Sequence, residues 1–215
     1  LENAPPVSPL PADENDFITF TSFNKLCKTS NDVLDVWSRI LVQLPTARLV
    51  LKYWNYLDSP SLCSGILERF EANGIPADRI DLKGETKTQQ SHLFQYHRVD
   101  IALDPFPYTG GTTNYEAMWM GVPVVSLLGG RYISRMGGSI VAHAGMGMLN
   151  AESPDEYVKI AVDLANDRSR LREIRDTLRT TVSNSTLCNG PVFAKNVEEA
   201  FVSMWEAHKQ SAPDT

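Results

Sequence analysis

Cysteine is scarce in this chain, and its placement excludes the structures that cysteine usually builds. Cys27, Cys63 and Cys188 are odd in number and share no metal-ligand spacing. Reduced cytosolic thiols are therefore expected, with no disulfide framework and no metal site. Positive charge is also in deficit: 20 Lys and Arg stand against 26 Asp and Glu, for a net charge of −6. That balance argues against nucleic acid or an anionic membrane as the main partner, and leaves room only for a local basic site holding a small anion. No apolar run approaches the ~18 residues of a membrane span, and no charged-then-apolar leader opens the chain. The expectation is a soluble, unprocessed protein of the cytoplasm. Internal repeats are absent as well.

What is present is an ordinary globular composition, 42% hydrophobic and 21% charged over 215 residues. That length suits one large α/β domain or two small ones, with a full core. Residues 1–15 carry Pro5, Pro6, Pro9 and Pro11 without apolar periodicity, and read as a linker or extended strap cut from something longer. Short apolar strands follow at 17–22, 48–53, 79–83, 100–103 and 123–127. Between them lie helical patterns: one opening at Ser30-Asn31-Asp32, with Val33, Trp37, Ile40, Leu41 and Leu44 on one face, one opening at Ser59-Pro60, and one over 89–98. Later helices run through Ile140 and Ala144, from the N-cap Ser153, and over 168–179, the last charged and expected to be half exposed. A break at 183–191 precedes a final helix from Phe193 to about His208. Strands alternating with helices predict an α/β, doubly wound, mostly parallel, Rossmann-like sheet over 16–190, with a carboxyl-terminal helix and tail over 191–215.

The stretch that organises the chain is 104–123, Asp-Pro-Phe-Pro-Tyr-Thr-Gly-Gly-Thr-Thr-Asn-Tyr-Glu-Ala-Met-Trp-Met-Gly-Val-Pro. A strand ending in Asp104, a turn of Gly110, Gly111, Thr112 and Thr113, and a helical run over 115–120 can hold a phosphate. Glycine lets the backbone approach closely, the N–H groups of a first helical turn are unpaired, and the helix dipole favours an anion. A plainer reading makes the same residues a tight turn with a Thr113–Glu116 capping box. In a doubly wound sheet the ligand lies beyond the carboxyl ends of the strands. Loops carrying Lys28, the segment after Lys83 and the Gly-Gly-Thr-Thr turn all follow strand ends, which favours the phosphate reading.

Taken together, Phe23-Asn24-x-Leu26-x-Lys28, Asp100-x-x-Leu103-Asp104, and Pro107-Tyr108-x-Gly110-x-Thr112-Thr113-x-x-Glu116-x-x-x-Met120-Gly121-Val122-Pro123 resemble one family. It is the catalytic region of the protein O-linked N-acetylglucosamine transferases and the SPINDLY-type O-fucosyltransferases. Ser134-Arg135, Asp155-Glu156-Tyr157 and Met204-Trp205 continue the match in collinear order. The resemblance implies the carboxyl-terminal lobe of a GT-B glycosyltransferase, which binds a nucleotide sugar without metal or cofactor. Its amino-terminal catalytic lobe and tetratricopeptide region would lie outside this chain.

The same resemblance implies that Lys28 contacts the diphosphate, that Thr112 and Thr113 contact phosphate, and that Glu116 takes the ribose hydroxyls. His92 falls near the nucleoside and Gln89 beside the base. Three positions depart from the animal sequences: Gly111 stands for His, Gln89 for Lys and Gln95 for Arg, and the turn is closer to bacterial and SPINDLY-type members. The implied function is the donor-binding half of an inverting transferase, moving N-acetylglucosamine from its UDP donor to Ser or Thr of an acceptor protein. Transfer of fucose from GDP-fucose is the first alternative, and a non-catalytic nucleotide-sugar sensor the second.

Overall fold

The computed structural model describes residues 3–84 and 86–211. Its strands are β1 (Thr19–Ser22), β2 (Arg48–Lys52), β3 (Ile80–Lys83), β4 (Ile101–Leu103), β5 (Val124–Leu127) and β6 (Asn150–Ala151). They form one six-stranded sheet in the order β3-β2-β1-β4-β5-β6. Every adjacent pair is parallel, with Phe20 opposite Ile101 and Thr21 opposite Ala102 across the centre. The chain therefore winds outward from β1 to β3, returns to the middle and winds the other way from β4. The loops after β1 and β4 diverge at that reversal and open a crevice above it. Such a sheet is buried on both faces, which is why β1, β4 and β5 are buried along their whole lengths. The two-residue β6 is too short to leave a periodic trace in the sequence.

Helices fill the crossovers. They are α1 (Ala12–Asn15), α2 (Asn31–Gln43), α3 (Pro60–Ala72), α4 (Gln89–Leu93), α5 (Thr112–Trp119), α6 (Met136–Val141), α7 (Pro154–Asn166), α8 (Arg168–Ser183) and α9 (Gly190–Ser211). Val33, Trp37, Ile40 and Leu41 line the buried face of α2, as their spacing predicts. Trp37 Nε1 donates to the Tyr157 hydroxyl on α7 at 3.2 Å, and that hydroxyl donates to the carbonyl of Asp104 at 3.0 Å. This chain of bonds anchors the end of β4. The helix expected over 89–98 instead tightens after Leu93 into a 3₁₀ turn, Phe94–Arg98. The tighter winding brings Tyr96 into the core, where its ring stands 4.8 Å from that of Phe23.

The proline-rich start is a packed strap. Arg168 and Arg179 donate to the carbonyls of Ala12 and Pro5 at 2.5 and 2.7 Å, and Arg172 forms a two-bond pair with Asp13 at 2.8 and 2.9 Å. Arg175, wholly buried, donates to Ser8 O and Oγ, to Val99 O and to Tyr96 O. These arginines recur at helical spacing on α8, so the half-exposed helix expected from composition presents much of its charge inward, to the strap. Asp100 receives the N–H groups of Ala12 and Thr19 at 2.9 and 2.8 Å. Burial raises its carboxyl to about 6 against those two donors, and burial lowers Arg175 to about 10. By contrast α9 buries none of its residues, leaving Phe193, Phe201 and Trp205 in solvent.

Candidate functional site

The Gly-Gly-Thr-Thr turn is built on a buried carboxylate. Asp104 Oδ1 accepts from the Gly110 N–H at 2.6 Å, and Oδ2 accepts from Ser126 Oγ on β5 at 2.7 Å. A side chain at Gly110 would collide with Asn114 Oδ1 and Asp104 Oδ1, so only glycine fits the position. Thr109 locks the other side: its Oγ1 donates to Ile133 O at 2.8 Å and accepts the Gly137 N–H at 2.9 Å. Burial pushes the Asp104 carboxyl up to about 6, opposed by Ser126, Gly110, Asn114 and the charge of Lys28.

The capping box expected between Thr113 and Glu116 does not form. Gly111 is the N-cap of α5 and, lacking a side chain, places no cap on its first turn. The helix thus starts at Thr112, earlier than its apolar residues indicate. Thr112 and Thr113 occupy the first turn, and Glu116 stands one turn further on the same side.

A cavity of about 340 Å³ opens here, above the reversal point of the sheet. Thr112, Thr113 and Glu116 of α5 form one wall. Phe23 comes from beyond β1, Lys52 and Tyr53 from the end of β2, and Thr86, Lys87, Thr88, Gln89 and His92 from beyond β3. Lys52 Nζ lies 3.0 Å from His92 Nδ1, and His92 Nε2 lies 3.2 Å from Glu116 Oε2. The His92 ring packs beside the touching pair of Phe23 and Tyr96, 5.7 Å from each.

Most of the expected site thus converges: Gln89, His92, Thr112, Thr113 and Glu116 share one cavity. Gly110 and Gly111 shape the turn beneath it. Lys28 does not line the cavity; its Nζ donates to Thr109 O at 2.8 Å and rests 4.1 Å from the centre of the Tyr108 ring. Burial holds its ammonium below the usual value, and Asp104 opposes that shift. Gln95 lies outside the cavity wall, donating to Ser91 O at 3.2 Å. Sequence reasoning missed Lys52, which is 6% exposed. Its only trace is a lysine closing an otherwise apolar strand, which also describes an ordinary strand end.

Chemically, a first helical turn flanked by lysines suits an anion, and an acid beside a histidine suits hydroxyls. The aromatic wall suits a flat ring. No group of three His, Cys, Asp or Glu side chains among the described residues is placed to hold a metal ion. No helix among them is long and apolar enough to cross a membrane.

Comparison with known proteins gives the family and the fold. The chain is 41% identical over 95% of its length to the probable UDP-N-acetylglucosamine--peptide N-acetylglucosaminyltransferase SPINDLY of Arabidopsis thaliana, of which it spans 22%. It is 28% identical over 93% of its length to the UDP-N-acetylglucosamine--peptide N-acetylglucosaminyltransferase of Caenorhabditis elegans, spanning 17% of that protein. A solved variant of the Thermobaculum terrenum O-GlcNAc transferase superposes with a TM-score of 0.87 at 33% identity, covering 99% of this chain and 40% of that one. The fold is therefore that of a GT-B catalytic lobe, and the chain corresponds to a part of its full-length relatives. Because the description "Glycosyl transferase family 41" matches residues 10–197, from the strap through the whole sheet and into α9, the chain belongs to that family.

Proposed function

We propose that this chain is the donor-binding lobe of an inverting protein O-glycosyltransferase that moves N-acetylglucosamine from UDP-N-acetylglucosamine to Ser or Thr hydroxyls. The observation that carries the reading is the cavity at the sheet's reversal point, where Thr112, Thr113 and Glu116 line one wall beside His92. On this reading the diphosphate meets the first turn of α5, and Glu116 accepts from the ribose hydroxyls. Gln89 and His92 lie toward the base. Lys28, on a flexible stem beside the turn, swings from Thr109 O to the diphosphate. In the transfer step the acceptor oxygen forms a bond to the anomeric carbon as the bond from that carbon to the phosphate oxygen breaks. The acceptor proton leaves to a base outside this lobe, and UDP departs with the negative charge that Lys28 offsets. Neither metal nor cofactor takes part.

Partners on this reading are the nucleotide sugar, an acceptor protein, and the amino-terminal lobe and tetratricopeptide region of the parent polypeptide. Residence in the cytoplasm is part of the same reading. The turn sequence, with Gly111 where animal relatives carry His, favours GDP-fucose as a second reading. Calorimetry of the chain with UDP, UMP, GDP and GMP tests both. We expect UDP to bind more tightly than UMP, with GDP the weaker diphosphate. Equal affinity for di- and monophosphate of each base would remove the phosphate site, and a preference for GDP would move the reading to fucose.

A further inference from the structure

Lys52 lies outside the motifs quoted in the sequence analysis, yet it is buried at the head of a short relay. An ammonium has three N–H donors and no acceptor. At 3.0 Å from His92 Nδ1 it can only donate, so Nδ1 must carry its lone pair. The single ring proton then sits on Nε2, which faces Glu116 Oε2 at 3.2 Å and donates to it. With the opposite tautomer two lone pairs would face each other at that distance and the carboxylate would turn away. The ring is also packed against Phe23 and Tyr96, which contact it at 5.7 Å each, and its two nitrogens are engaged at opposite ends. Glu116 is only 14% exposed at its side chain, and its Oε1 makes no hydrogen bond among the described residues.

From this geometry we infer that Lys52 is a positioning residue: by fixing His92 as the Nε2–H tautomer it holds Glu116 in one orientation, with Oε1 left to receive a ligand hydroxyl. The inference rests on the reading of the cavity as a nucleotide site only for the identity of that hydroxyl, a ribose 2′-OH or 3′-OH. The tautomer itself is a property of the unliganded protein. A carboxylate held in this way discriminates between a vicinal diol and a deoxy sugar, because a rigid acceptor left unpaired is costlier than a mobile one.

Imidazole ¹⁵N–¹H spectra of the labelled chain, with the His92 signals assigned from H92N, test the relay without any ligand. We expect Nε2 protonated and Nδ1 bare in the natural chain and in K52R, which can still donate, and a mixed or reversed tautomer in K52M. An Nδ1–H tautomer in the natural chain overturns the inference even if K52M fails to fold, and an unchanged tautomer in a folded K52M overturns it equally. Calorimetry with UDP and 2′-deoxy-UDP then reads the consequence. K52M should lose about tenfold of the preference for UDP, the usual cost of one hydrogen bond to a charged group, and K52R should keep it. A changed tautomer with an undiminished preference would sink the link to Glu116. Failure of the natural chain to bind either nucleotide would instead refute the proposed function, leaving the tautomer to decide the role of Lys52.

Discussion

Asp104 illustrates at the residue scale how a group can shape a site and cost stability at once. It organises the Gly-Gly-Thr-Thr turn through Gly110, Asn114 and Ser126, and burial raises its carboxyl from the ordinary 3.8 to about 6. Asp100, under the strap, is raised to about 6 by the same cause. A carboxyl with a raised folded pKa takes up a proton more readily folded than unfolded. Stability from these groups therefore increases as pH falls through about 6 toward 3.8, and is lost as pH rises back through that window. Asp35, paired with Arg69 and Asn73, is lowered instead and acts oppositely, losing its contribution only in stronger acid. We expect Asp104 alone to add about 1 kcal/mol to unfolding free energy between about pH 7 and about pH 5. Urea unfolding at those two pH values should show the gain in the natural chain and a smaller one in D104N. Equal gains in the two proteins would mean that Asp104 titrates as an exposed carboxyl does.

Among the elements, α8 departs most from its sequence pattern, because what reads as a solvated charged face is a clamp. Its arginines bind strap atoms from Pro5 to Asp13, and they differ in burial: Arg175 is wholly buried, whereas the Arg172 side chain is 50% exposed. Replacing Arg175 by Leu strands the carbonyls of Ser8, Tyr96 and Val99 and leaves buried Asp100 without its neighbouring charge. That should cost about 3–5 kcal/mol. Arg172→Ala breaks only a partly exposed pair and should cost under about 1 kcal/mol. Urea midpoints compare the two, and limited proteolysis of residues 3–15 reads strap release directly. Similar losses for both variants, with the strap equally protected, would refute the clamp. In α5 the discrepancy runs the other way: a helix start read from its apolar residues falls too late, because an N-cap glycine leaves no polar signature.

At the scale of the whole molecule, the proposed function asks two things of the protein. Rate comes from holding the acceptor in line with the anomeric carbon and from stabilising the departing phosphate. The proposed site supplies the second, so we expect no detectable sugar transfer by these 215 residues alone. A longer polypeptide that includes the amino-terminal lobe should be active, and Lys28→Ala within it should lower turnover by roughly a hundredfold, about 2–4 kcal/mol, with a smaller change in donor affinity. Steady-state kinetics with UDP-N-acetylglucosamine and an acceptor peptide separates the two quantities. Unchanged turnover would remove Lys28 from the mechanism, and transfer by the short chain would overturn the division of labour between lobes.

By itself the sequence determined the α/β class, the parallel winding and the place of the Gly-Gly-Thr-Thr turn. Those follow from local physics: apolar runs bounded by turn residues, helical spacing, and glycines where the backbone must come close. It also carried the residues that come to share one cavity, Gln89, His92, Thr112, Thr113 and Glu116, because motif order is linear information. Only the tertiary structure decided which partner each lysine meets. Lys28 rests on Thr109, outside the cavity wall, whereas Lys52, unremarkable at the end of β2, stands against His92. The strap became part of the core only because α8 folds back over it with Arg175. Such pairings join residues many tens of positions apart, and no local pattern encodes a contact whose partners meet only after the sheet has closed its order.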